Sequence, residues 1–135
     1  MSRVSDLSIA SRLQELASVR SWIEEQAEAA GFSKGERFEL SLAATEACAN
    51  VIEHAYEGRT DGRIDLHLEI EGPRFELTVR DFGTPFDVSA YQQPDLQQPH
   101  EGGYGVHLMN SLMDEVRYAG CEPGTCLTLV KHRRG

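Results

Sequence analysis

The chain has 135 residues, 40% hydrophobic and 26% charged, the size and balance of one packed domain spanning 1–135 with room for one core and one ligand site. The net charge is -9, and only two lysines occur, Lys34 and Lys131, with the arginines scattered apart from Arg133-Arg134. Phosphate backbones are neutralised by clustered Lys and Arg, so direct nucleic-acid binding is not expected, whereas a basic protein partner suits an acidic surface.

No apolar run approaches the ~18 residues of a membrane helix, and no signal peptide is visible. A cytoplasmic protein without membrane contact is expected. Cys48, Cys121 and Cys126 are odd in number and contain no CxxC pair, which reads as reduced thiols rather than a disulfide framework.

Residues Arg3 to Ala10 alternate weakly, as an edge strand would. From Ser11 to Ala30 the pattern is helical, with Leu13, Leu16, Ala17, Ile23 and Ala27 able to share a face, and Gly31 as a stop. Trp22 reads as a core or interface anchor. Ser33 and Glu36 form the pattern of a capping box, which predicts a long helix from about Lys34 to Tyr56. Along it Leu40, Ala44, Ala47, Val51 and Ala55 make one apolar stripe. After a turn at Gly58–Gly62, Ile64, Leu66, Leu68 and Ile70 alternate with polar residues. Beyond Glu71-Gly72-Pro73 the alternation resumes at Phe75, Leu77 and Val79. This is a hairpin with one buried and one wet face. A loop from Asp87 to Gly103 leads to a helix over Tyr104–Met113, then to strands at Glu115–Ala119 and Thr125–Lys131. One-faced strands with helices between them predict a two-layer α/β domain.

Four places carry chemistry. Glu46 and Asn50 are one helical turn apart on the same face. The amide oxygen of Asn50 could ligate Mg²⁺, and the carboxylate of Glu46 could accept a proton from an attacking hydroxyl. Counting by two from Phe75 ends the core face of the hairpin on Asp81, whose buried carboxylate would need a hydrogen-bond donor such as an exocyclic amino group. Gly83 lets a flat ligand come close. Gly102, Gly103 and Gly105 open a helix, where backbone N–H groups favour anions. Gly124-Thr125 opens the last strand. Taken singly, each also reads as an ordinary polar strip, turn or loop. The histidines show no metal-ligand spacing, and neither a P-loop nor a dinucleotide fingerprint fits.

Together and in this order, these places resemble the four boxes of the GHKL ATPases. Glu46-x-x-x-Asn50 with His54-Ala55-Tyr56 is similar to the N-box, Asp81-x-Gly83-x-Pro85-Phe86 to the G1 box, Gly103-x-Gly105-Val106 to the G2 box and Gly124-Thr125 to the G3 box. The likeness spans Val4 to His132. The short lid and the segment Met113–Tyr118 resemble the anti-sigma factor serine/threonine-protein kinases.

That resemblance implies a two-layer α/β sandwich of the Bergerat type, with a mixed, mostly antiparallel sheet and helices on one face. It implies ATP as ligand, with Mg²⁺ held by Asn50. Asp81 would bind the adenine amino group and Thr125 would sit near adenine. Gly103, Tyr104, Gly105 and Val106 would flank the phosphates, and His54, Gly83 and Phe86 complete the expected nucleotide site. Glu46 would activate a serine of an anti-sigma factor antagonist, a STAS-type protein. A homodimer that also sequesters a sigma factor is implied, with Arg20 on the first helix a candidate contact.

No Lys or Arg occurs between Arg80 and Arg117. Phosphoryl transfer would then rest on Mg²⁺, backbone N–H groups and His100 or His107, so the expectation covers nucleotide binding and does not extend to fast transfer. The alternative reading is a nucleotide-dependent binding module controlling a partner other than a sigma factor. A third, the detached ATP domain of a histidine kinase, lacks a visible phospho-accepting helix.

Overall fold

The computed structural model describes residues 2–83, 104–121 and 123–134, and for 104–107 the backbone. Strand β1 (Ser2–Ala10) leads through a short 3-10 turn (Leu13–Glu15) into α1 (Leu16–Ala29). Then come α2 (Lys34–Asn50), β2 (Arg63–Glu71), β3 (Arg74–Asp81), α3 (Tyr104–Leu112), β4 (Glu115–Gly120) and β5 (Thr125–His132). The five strands form one sheet in the order β1-β2-β3-β5-β4. Every neighbouring pair is antiparallel, where a mixed, mostly antiparallel sheet was expected.

The hairpin follows its alternation. Ile64, Leu66, Leu68 and Ile70 of β2 and Phe75, Leu77 and Val79 of β3 are buried and pair across the strands, Leu68 opposite Leu77. They share one core with Val19, Ile23 and Ala27 of α1 and with the stripe Leu40, Ala44, Ala47 of α2. The outer face of the sheet carries charge pairs instead. His67 lies between Asp6 and Glu69, and Glu76 takes both Arg74 and Arg117.

The first helix keeps Ile23, Ala27 and the partly buried Leu16 on the expected face and departs from it at Leu13 and Ala17. Val19, Ile23 and Ala27, at steps of four, point inward, while Leu13 is 65% exposed and Ala17 lies outside. The 3-10 turn at Leu13–Glu15 precedes the α-helix, so Leu13 is out of phase with the inward stripe. Trp22 is partly buried, and its indole N–H donates to Ser5 Oγ at 3.0 Å, tying α1 to β1.

The capping box forms as read. Ser33 Oγ accepts from Glu36 N at 3.2 Å and Glu36 Oε1 accepts from Ser33 N at 3.0 Å. The expected helix to Tyr56 divides: α2 ends at Asn50 and its last turn, Val51–Ala55, widens to a π-helix. Val51 and Ala55 stay buried through it.

The cysteine reading is corrected. Cys121 and Cys126 are joined in a disulfide across the β4–β5 turn, and Cys48 alone is free, and buried. The two cysteines lie on either side of the tight turn joining β4 to β5, which no CxxC spacing signals.

Candidate functional site

The site lies where the end of α2 meets the ends of β3 and β5. Asp81 is the last residue of β3 and, as the count by two required, its side chain is buried, 1% exposed. The carboxylate accepts the backbone N–H of Gly83 at 3.1 Å, and a backbone N–H of Thr125 also reaches it. Burial pushes its pKa above the ordinary carboxylate value, while those two N–H groups and the Arg80 guanidinium pull it back down. It keeps a net upward shift.

Asn50 faces it across a narrow cavity. The amide is buried, and its nitrogen has no hydrogen-bond partner among the described residues. Ala47, Val51 and Val79 supply apolar walls, and Thr125 and Leu127 close the β5 side. Two polar groups on apolar walls are the composition expected of a small-ligand site. An unpaired buried amide costs about 1–3 kcal/mol, a cost that a ligand reaching this cavity would offset.

Two glycines shape the cavity. A Cβ on Gly83 would stand 2.9 Å from the Ala55 carbonyl carbon and 3.0 Å from Tyr56 Cδ1, so glycine lets the chain leaving β3 lie against the π turn. Gly124 has φ +93, and a Cβ there would lie 2.7 Å from Asp81 C and 2.9 Å from Asp81 Oδ1. Both conditions demand glycine. Read from the sequence, Gly124-Thr125 was the weakest of the four places, and the fold presses it onto Asp81.

Tyr56 latches the rim. Its hydroxyl donates to the Arg63 carbonyl and accepts from Phe82 N at 2.8 Å. The Arg80 and Arg63 guanidinium groups stand over the Phe82 ring, 4.8 and 5.7 Å from its centre.

Of the residues singled out in the sequence, Asn50, Asp81 and Thr125 line one cavity, with Gly83 beside it. Glu46 is half-buried one turn before Asn50 and does not line the cavity. His54 does not line it either; its Nε2 is 3.9 Å from Glu53. Phe86 and Gly103 lie outside the described residues, as do Pro85 and His100. Tyr104, Gly105 and Val106 form the first turn of α3.

Tyr118 was missed as a site residue. It sits on β4 opposite Leu127 and lines the cavity, and burial pushes its phenol up to about 12. Its signal was the alternation Val116, Tyr118, which turns both inward.

A histidine kinase-like ATPase domain model matches residues 9–131, and the chain belongs to that family. Serine-protein kinase RsbW of Bacillus subtilis is 33% identical over 113 residues, covering 78% of this chain and 70% of that protein. The protein of the same name from Bacillus licheniformis is 33% identical over 109 residues, covering 75% and 68%. The crystal structure of the RsbU and RsbW domains of a Mycobacterium tuberculosis protein superposes with a TM-score of 0.72 over 98% of this chain, at 20% identity. The chain spans 33% of the length of that larger structure, and the likeness carries the fold. No helix among the described residues is long and apolar enough to cross a membrane.

Proposed function

We propose that the chain is a cytoplasmic, single-domain, ATP-dependent serine/threonine kinase that phosphorylates an anti-sigma factor antagonist of the STAS type and also sequesters a sigma factor. The observation that carries the nucleotide site is the pair of buried polar groups, the Asp81 carboxylate and the unpaired Asn50 amide, facing one cavity. Apolar walls favour a flat ring, and a buried carboxylate favours an N–H donor on its edge. An adenine amino group satisfies both, and the residues present fit it.

In this reading Asp81 orients the base, with Gly83 and Thr125 N–H groups fixing the carboxylate. Thr125 and Tyr118 flank the ring. Asn50 would hold Mg²⁺ through its amide oxygen, and the ion, when bound, would neutralise charge at the phosphates. The opening turn of α3, Tyr104-Gly105-Val106, offers backbone N–H groups to the phosphates. Glu46, one turn from Asn50, takes the proton of the attacking serine hydroxyl. Arg20 lies on the rim of an outward groove between α1 and α2, lined by Leu16, Phe38 and Leu42. Phe38 is 63% exposed, and this face is where we place the second copy in a homodimer.

The test is thermal unfolding with and without Mg-ATP, on the native chain and on Asn50→Ala. A ligand that binds only the folded state must raise its stability. A Mg-dependent shift that Asn50→Ala abolishes supports the site, and no shift in the native chain at millimolar nucleotide sinks it. One observation favours a second reading, a nucleotide-dependent binding module without efficient transfer: no Lys or Arg occurs from 81 to 116. Glu46→Ala separates the two. Loss of phosphorylation with binding kept supports the kinase, and unchanged partner control supports the module.

A further inference from the structure

We propose that Cys121 and Cys126 are a reversible thiol–disulfide switch that sets how tightly the adenine end of the cavity grips its ligand. The proposal rests on the nucleotide-site reading above. It starts from what lies between the two sulfurs. The disulfide spans the β4–β5 turn, and that turn carries Gly124 and Thr125. Gly124 lies against Asp81, so closely that a Cβ would come 2.9 Å from its Oδ1. Thr125 lines the cavity, and a backbone N–H of Thr125 bonds the Asp81 carboxylate. The turn is also closed by Cys121 N donating to the Gly124 carbonyl at 3.2 Å. The disulfide therefore adds a covalent tie to a segment that pairs with β3 as far as Arg80 opposite Cys126 and forms one wall of the ligand site.

Position also suits exchange. Cys121 and Cys126 are both half-buried, and they sit at the end of a hairpin rather than in the core. Cys48 is buried and its thiol is pushed up to about 12 by burial, which keeps it out of exchange at neutral pH. A disulfide in a cytoplasmic protein is more often transient and redox-sensing than structural.

The chemistry balances with a small-molecule disulfide as oxidant. One cysteine thiolate attacks a sulfur of that disulfide, forming a mixed disulfide and releasing one thiol. The second cysteine then attacks the mixed disulfide at the protein sulfur and releases the other thiol. Two protein thiols are oxidised and one disulfide is reduced to two thiols. A dithiol reverses both steps.

Oxidised, the turn is pre-ordered against Asp81. Reduced, it keeps its backbone hydrogen bonds but is less constrained, and the binding affinity carries the cost of the remaining ordering. Ordering about one backbone residue corresponds to roughly tenfold in affinity.

The experiment is calorimetric titration of the full chain with Mg-ADP, once after treatment with glutathione disulfide and once in excess dithiothreitol, with free thiols counted in each state. The oxidised chain is expected to bind about tenfold more tightly, with two fewer free thiols. Cys121→Ser is expected to bind like the reduced chain under both conditions, and Cys48→Ala to keep the full redox dependence. Equal affinity in the two states, within about twofold, overturns the switch and leaves the nucleotide site standing. Failure of the oxidant to consume two thiols overturns it as well. No Mg-ADP binding in either state removes the site itself, and the switch with it.

Discussion

Asp81→Asn separates binding from folding at the centre of the site. The substitution keeps the shape of the side chain and removes its charge. In the folded chain Asp81 is 1% exposed and accepts two backbone N–H groups, from Gly83 and Thr125. The asparagine oxygen can keep the Gly83 bond, so the fold should hold. A hydrogen bond to a charged group contributes about 1.5–3 kcal/mol, so the loss of the carboxylate should weaken Mg-ATP roughly 10- to 150-fold.

Stability should move the other way. The folded-state pKa of Asp81 lies above its ordinary 3.8, so the ionised form costs stability. That cost is absent below the ordinary value, appears as pH rises through it and is full above the folded-state value. Asn does not titrate, so the variant should gain on the native chain in urea unfolding as pH rises from about 3 to about 7. Native-like Mg-ATP affinity in a folded Asp81→Asn would refute the assignment of the adenine end. A variant that loses stability with rising pH relative to native would refute the account of the buried charge.

Gly124→Ala should destabilise by about 2–4 kcal/mol, combining left-handed backbone strain with a clash on Asp81; urea unfolding within roughly 0.5 kcal/mol of native would contradict the close approach. Lys131 is fully buried, and its Nζ donates to the Leu112 carbonyl at 2.7 Å at the end of α3. Lys131→Met should cost about 1–3 kcal/mol by leaving that carbonyl unpaired, and an unchanged unfolding midpoint would exclude this role. His67 donates to Asp6 and Glu69, which hold its pKa above the ordinary 6.5. Its contribution is full below the ordinary value and lost as pH rises through the folded-state value. The melting-temperature advantage of native over His67→Gln should therefore shrink from about pH 6 to about pH 9, and a flat difference would argue against the charge pairs.

Much of the site was legible because its signals are short-range. Alternation from Phe75 put Asp81 on the inward face, and that depends only on the period-2 geometry of a strand. A spacing of four put Asn50 one turn from Glu46, and Ser33 and Glu36 announced the start of that helix. The order of the four boxes carried the family. Other features depend on chain segments far apart in sequence, which no local period encodes. The insertion of β5 between β3 and β4 is what brings Gly124 onto Asp81 and Tyr118 into the cavity. The π turn at Val51–Ala55 lets Gly83 approach the Ala55 carbonyl, although the residues there continue an ordinary helical stripe. Leu13 and Ala17 turned outward because the helix phase was fixed by Val19, Ile23 and Ala27 packing on the sheet. The sequence by itself determined the order and type of most elements, the inward positions of the hairpin, and the candidates Asn50, Asp81 and Thr125. Tertiary structure alone decided which strands became neighbours, and so which of those residues face the same cavity, because strand order is settled by the burial of whole faces rather than by any single residue's preference.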